Sequence, residues 1–351
     1  MRVAIDSAAR PNRAARPLTS SFERINALAI DLLQKNRGGS ARWKGLGILV
    51  STTIAVLAIL ALMHALKHVH YREVWAIVTR TNPGAIALAL VLVVVSYASL
   101  TLYDQLALRT IRRPDIPYRI AALASFTSYP IAHGMGLVAL ISPVIRYRIY
   151  SFHGLGAIDV ANICFLTGLT FWLGNLTALA FSLSYAPAAI SLLDYLPAAL
   201  NRGLAVPLLV GILAFLVWSW RGSRRLGTAR WPVQLPSGPM VLLQIAIGLF
   251  DLGAAALAMD VLIPAGSQIG FVTLTTVFIA ATLLGFASHT PAGIGVFDAA
   301  ILVGLGGDDK EPLIAALLMF RLLYHLLPFV IALVLLGGVE LRRSWRPKLS
   351  N

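Results

Sequence analysis

Gly285-Phe-Ala-Ser-His289-Thr-Pro291-Ala-Gly293-Ile-Gly295-Val-Phe-Asp298 interrupts a long apolar region near the C-terminus with a proline, three glycines, a histidine and an aspartate. Proline removes a backbone donor and glycine loosens a helix. In lipid, irregular backbone survives only where protein buries it or where it lines a wet cavity. The stretch therefore reads as the tip of a broken, re-entrant helix pair. The other reading is a spanning helix kinked at its Pro and Gly residues.

The surrounding chain is that of a membrane protein. It has 351 residues, 58% apolar and 13% charged, with a mean hydropathy of +0.78. Several apolar runs reach the length that crosses a bilayer, and the short alternating segments of a β-barrel are absent. The expected fold class is an all-α polytopic membrane protein with six full transmembrane helices and two re-entrant regions. The net charge of +14 fits positive-inside loops and anionic cytoplasmic lipid. A nucleic-acid surface would interleave aromatics with its basic residues, and this sequence does not. Cys164 is the single cysteine, which excludes an internal disulfide and a cysteine-based metal site.

Residues 1–40 form a basic N-terminal segment without a leading apolar core. Within it Ser20-Ser-Phe-Glu23 is a capping box. Phe22, Ile25, Leu28, Ala29, Leu32 and Leu33 then recur at helical spacing. The helix they predict either lies on the cytoplasmic leaflet or packs on the membrane domain. That membrane domain covers 41–345, and 346–351 is a tail. Full spans are expected at about 45–65, 84–106, 157–182, 203–220, 238–260 and 312–338. Residues 119–150, with Ser128-Tyr-Pro130-Ile-Ala-His133-Gly134-Met-Gly136, form the second irregular region beside 269–302.

Charge counting separates the topologies. With both irregular regions re-entrant and the N-terminus inside, 23 Lys/Arg lie on the cytoplasmic side and five outside, with Arg321 left in the last span. If each region crosses once, the split falls to 18 against ten. The positive-inside rule favours the first arrangement, with both termini in the cytoplasm. In it the two broken regions enter from opposite faces, as in inverted-repeat transporters whose substrate sites lie where broken helices meet.

Three charges fall inside spans. Arg321 lies roughly 14 Å into its helix at 1.5 Å per residue, and Asp251 and Asp298 come out at a similar depth. A charge there is functional by default or else part of a structural Arg–Asp pair. As a site, Arg321 would meet a phosphate with the help of half-helix N-termini. Asp251 and Asp298 would meet a cationic group or carry a proton. Gly293 and Gly295 would let backbone approach, and His289 and Tyr324 complete the candidate set. Asp104 and Asp260, near span ends, are expected to be solvated. His64, His68 and His70 could bind a metal, but only Glu73 stands nearby to complete the set, so no metal site is expected. No catalytic residues, metal or cofactor are expected, since no nucleophile elbow, Walker loop or dinucleotide fingerprint is present.

Pro291-Ala-Gly-Ile-Gly295-Val-Phe-Asp298 resembles the P-G-G-x-G-x-x-E signature of the lysylphosphatidylglycerol synthase transmembrane family, also called YbhN-like. Leu318-Met-Phe-Arg321-Leu-Leu-Tyr324-His-Leu-Leu-Pro328 resembles its closing R-x-x-Y-x-x-x-P helix, and Gly134–Arg148 its first broken segment. The resemblance covers roughly residues 40–345. Ala292 stands where the family has Gly, and Asp298 where it has Glu. Nothing after the membrane part could be the soluble aminoacyl-transferase domain of the full synthases. The resemblance thus implies lipid translocation rather than synthesis, in a bacterial inner membrane. The alternative is a non-transporting partner of a separate lipid-modifying or glycosyltransferase enzyme. The expected partners are a phospholipid substrate, the bilayer, such an enzyme, and a second copy of the chain.

Overall fold

The computed structural model describes residues 79, 81–222, 225–228, 231–264, 269–305 and 311–344. The expected span at 45–65, the amphipathic helix after Ser20 and the histidines at 64–70 lie outside the described residues. Among the described residues ten helices have ten residues or more. They are α1 (Pro83–Thr110), α2 (Tyr118–Gly134), α3 (Val138–Tyr150), α4 (Ala157–Tyr185), α5 (Ala198–Trp220), α6 (Gly238–Leu262), α7 (Phe271–Ala287), α8 (Val296–Leu305), α9 (Glu311–Phe320) and α10 (Leu327–Ser344). A π-helical segment, Arg321–Leu326, joins α9 to α10. An antiparallel hairpin of β1 (Arg225–Thr228) and β2 (Trp231–Gln234) joins α5 to α6.

Among the described residues, five helices are long and apolar enough to cross a membrane: α1, α4, α5, α6 and the run Glu311–Leu341. Their starts follow local rules. Asn82 caps α1 by accepting from Gly84 N–H at 2.8 Å, with Pro83 at the first helical position. Asp159 accepts from Gly156 N–H at 2.9 Å at the start of α4.

Printed contacts fix which ends lie together. Arg113, just after α1, donates to His153 O at 3.1 Å and sits 4.0 Å from Asp159 at the start of α4. Arg148 of α3 pairs with Glu340 of α10. Asn162 of α4 donates to Pro232 O of β2 at 3.0 Å. These contacts gather the α1–α2, α3–α4 and α5–α6 connections and the far part of α10 at one end of the bundle. At the other end Asn201 of α5 donates to Pro187 O at 3.3 Å, in the short turns after α4. The same turns, Pro187–Ile190 and Ser191–Asp194, touch α7 and α8 respectively. It follows that α1 runs antiparallel to both α4 and α6.

The two irregular regions are hairpins. α2 packs along α3, and α7 along α8. The first hairpin starts and finishes at the end that holds Arg113 and the β-hairpin. The second starts and finishes at the opposite end. Proline explains where the second one breaks. Thr290 is held extended ahead of Pro291, which opens a single 3-10 turn, Pro291–Gly293.

Between the hairpins the core is layered by small residues. α1 packs closely on α6, and α4 on α6. Gly174 of α4 and Gly248 of α6 cross backbone to backbone: a Cβ added to Gly174 would lie 2.7 Å from Gly248 Cα. Small residues at such a crossing let apolar helices gain dispersion contact where lipid offers no hydrophobic drive. α5 buries only Asn201, Ala205 and Ser219 and presents the rest of its surface outward.

Candidate functional site

The two hairpin tips touch. Gly136, in the turn between α2 and α3, has φ +70°, and a Cβ there would lie 2.5 Å from His289 O and 3.0 Å from Pro291 N. Only glycine satisfies both the left-handed backbone and the approach. Around the contact, the His133 ring meets Phe286 edge-on at 5.4 Å, and Phe286 stacks on Phe171 of α4 at 4.9 Å. Phe171 is near the middle of α4, so the tips meet at mid-depth of the bundle.

The second tip is left-handed at four positions: His289 (φ 52°), Ala292 (51°), Gly293 (65°) and Gly295 (84°). Two of these carry side chains, which disfavour that region. Asp298, one turn into α8, ties the tip down. Its Oδ2 accepts from Gly295 N–H at 3.0 Å and from Arg321 Nη2 at 2.6 Å, and its Oδ1 accepts from Arg321 Nε at 2.6 Å. Arg321 Nη1 reaches Ala292 O at 3.4 Å. The pair is not sealed, with side chains 17% and 26% exposed. Arg321, Asp298, Gly293 and Gly295 thus come together at the tip. His289 contributes its backbone to the joint with Gly136, and its side chain is exposed.

Asp251 is elsewhere. It is not paired with Arg321. Its Oδ1 accepts from Ser96 at 2.5 Å and its Oδ2 from Tyr103 at 3.0 Å, both on α1. Ser96 also shares a hydrogen bond with Tyr324 OH at 3.0 Å, and Tyr97 OH donates to Tyr324 O at 2.9 Å. Tyr324 therefore links Asp251 to the π segment that begins with Arg321. A π turn leaves backbone carbonyls poorly served, and Tyr97 supplies a donor to one of them.

Two expectations are corrected. Asp104 is not solvated: it is fully buried and ion-paired with Arg146, at 0% and 1% exposure. Arg146, counted among the cytoplasmic charges, donates Nη2 to Oδ1 at 2.7 Å and Nε to Oδ2 at 3.0 Å. It also bonds the Ser142 hydroxyl and lies 4.9 Å over the Tyr129 ring. Tyr150 OH donates to Asp104 at 2.7 Å. Moving one arginine out of the cytoplasmic count leaves the charge asymmetry standing. The signal that could have found the pair is the i, i+4 spacing of Ser142, Arg146 and Tyr150, which puts three polar side chains on one face of α3.

No family model matches the chain. The inner membrane protein YbhN of Escherichia coli is 29% identical over 298 residues, covering 84% of this chain and 92% of that protein. The uncharacterized protein slr0712 of Synechocystis sp. is 27% identical over 85% of this chain and 94% of its own length. Phosphatidylglycerol lysyltransferase of Staphylococcus haemolyticus is 41% identical over 70 residues, only 8% of that protein. Along most of its length this chain is therefore similar to YbhN-like membrane proteins, and over a short stretch to a lysyltransferase.

Proposed function

We propose that the chain moves a phospholipid with a polar or aminoacylated headgroup between the leaflets of a bacterial inner membrane. The observation that carries this reading is the meeting of two broken-helix tips beside a half-buried arginine, with the hairpins entering from opposite ends. Alternating access by inverted repeats uses such a geometry. The names of the relatives add the compartment, an inner membrane, and a lipid phosphate, that of phosphatidylglycerol. In this reading the five long helices are full spans, and the α2–α3 and α7–α8 hairpins are the re-entrant regions. The end that holds Arg113, Arg148 and Arg221 is cytoplasmic.

Arg321 would receive the phosphate. Asp298 occupies Nε and Nη2, leaving Nη1 with a long bond to a carbonyl. A phosphate can take that donor while Asp298 keeps the guanidinium plane aimed at the tip. Asp251 would answer the headgroup cation or a proton, and Gly293, Gly295, Tyr324 and His289 would shape the surroundings.

The experiment is a leaflet-resolved assay with purified protein in vesicles, using labelled phosphatidylglycerol and lysylphosphatidylglycerol. Wild type should equilibrate lipid between leaflets. Arg321→Lys should slow exchange at unchanged yield, since a point charge replaces the fork. Arg321→Met should stop it, and adding Asp298→Asn should not restore it. Restoration by the double variant would reduce Arg321 to a structural partner. A wild-type protein that moves no lipid but co-purifies with a lipid synthase or glycosyltransferase would replace transport by the scaffolding role.

A further inference from the structure

The buried and half-buried arginines have their own carboxylates: Arg146 holds Asp104, Arg148 holds Glu340 and Arg321 holds Asp298. Asp251 has none. Among the described residues no Arg, Lys or His lies within ion-pair distance of it, and its only partners are two neutral hydroxyls. It is 8% exposed, at the seam of α1 and α6. An unpaired carboxylate out of water is among the costliest groups to keep charged, and a bound proton removes that cost.

We propose that Asp251 is a proton-binding site whose occupancy is passed to the π segment. It rests on the lipid-transport reading only for the use to which the proton is put. Hydroxyl stereochemistry makes the connection specific. Ser96 has one O–H. With Asp251 ionised, Ser96 donates to it at 2.5 Å, within the range of a charge-assisted bond. Tyr324 must then be the donor across its 3.0 Å contact with Ser96. When a proton from solvent binds Asp251 Oδ1, the carboxylic acid becomes the donor and Ser96 the acceptor. Ser96 then turns its own O–H to Tyr324, whose hydroxyl is freed to donate elsewhere. One proton is gained, no bond between heavy atoms changes, and the direction of the chain Asp251–Ser96–Tyr324 reverses. Tyr324 lies in the six-residue π segment that starts at Arg321, so the reversal acts on the element that presents the guanidinium.

The other polar groups near this level are Tyr103, Tyr129, His133 and His325, the last with its Nδ1 buried and unpartnered. Tyr103 of α1 donates to Oδ2, and its ring lies 6.1 Å from that of Tyr129 of α2. His133 of α2 is held by Tyr129 O at 3.1 Å, and His325 of the π segment packs against Phe297, Phe320 and Tyr324. On α6 itself Gln244, seven residues before Asp251 and so on the same face, is fully buried with both amide atoms unpartnered. Gln244 lies on the side of Asp251 toward the end that holds the β-hairpin.

The test is infrared difference spectroscopy of the full chain in phosphatidylglycerol vesicles, acid against alkaline buffer. The wild-type spectrum should contain the carbonyl band of a protonated carboxylic acid that Asp251→Asn lacks. His133→Gln and His325→Gln should keep the band, and Ser96→Ala should move it. No difference between wild type and Asp251→Asn would overturn the proposal. Should Asp251→Asn fail to insert, Tyr103→Phe leaves the carboxyl and removes one donor, and an unmoved band in that variant would overturn it equally. In the same vesicles, a titrating band in a protein that moves no lipid would uphold the site and sink the transport reading instead.

Discussion

Asp104 accepts from both arms of the Arg146 fork and from Tyr150, so its two oxygens are satisfied while all three side chains are buried. Removing one partner of such a pair leaves an uncompensated charge, at a cost of about 3–5 kcal/mol. Asp104→Asn should lower the thermal stability of the solubilised protein by that order, and Arg146→Met added to it should recover much of the loss. The Arg321–Asp298 pair is more exposed and better screened, so Asp298→Asn should be far milder in the same melt. At the tip, Ala292 holds a left-handed backbone with a Cβ that resists it. Ala292→Gly should raise stability by up to about 1 kcal/mol after glycine's extra chain entropy is subtracted; an unchanged or lowered melting temperature would deny the strain. At this scale sequence reading succeeded where composition conflicts with environment. Glycines and a proline in an apolar run are conspicuous, and Arg321 inside a span is too. It failed at Asp104, because its partner lies 42 residues away in the chain and distance along a helix says nothing of what packs across from it.

The long helices themselves were legible, with their ends displaced by up to five residues. Spans expected at 84–106, 157–182, 203–220, 238–260 and 312–338 correspond to Pro83–Thr110, Ala157–Tyr185, Ala198–Trp220, Gly238–Leu262 and Glu311–Leu341. Apolar length set by bilayer thickness is a one-dimensional property. The pairing of helices is not, and the Gly174–Gly248 crossing shows why: neither glycine stands out in its own segment. A Cβ at Gly248 would sit 2.8 Å from Gly174 Cα, whereas Gly253 on the same helix has nothing within 4 Å. Gly248→Val should therefore force α4 and α6 apart and cost about 1–3 kcal/mol or more, while Gly253→Val leaves the melt of the solubilised protein near wild type. Equal effects would mean that helix propensity, not the crossing, is what the melt reports. The π segment was invisible beforehand, since its register is held from outside by Tyr97 on α1.

At the scale of the molecule, the two hairpins and their flanking helices form two units of like design: α1, α2–α3 and α4, then α6, α7–α8 and α9–α10. The antiparallel run of α1 and α6 gives them opposite sense. One span, α5, between the units places the β-hairpin on the side from which α2–α3 enters. If that side is cytoplasmic, a cysteine at Gly227, exposed on β1, should resist an impermeant thiol reagent in intact cells in a Cys164→Ser background, and react after lysis. Reaction without lysis would put the basic loop outside and invert the orientation. Charge asymmetry could be counted from the sequence; that the tips of the two units touch could not.

The closest approach in that joint is main chain, a glycine hydrogen against a carbonyl and a proline nitrogen, with the His133 and Phe286 rings meeting beside it. Drift therefore has little to act on there apart from Gly136 and that ring pair. Were the halves copies of one ancestral segment, their residues could diverge until His133-Gly-Met-Gly136 and His289-Thr-Pro-Ala-Gly293 are barely alike while the hinge between them is inherited intact. If the chain moves lipid as proposed, headgroup preference could then be rewritten at neighbouring positions, lineage by lineage, without remaking the joint.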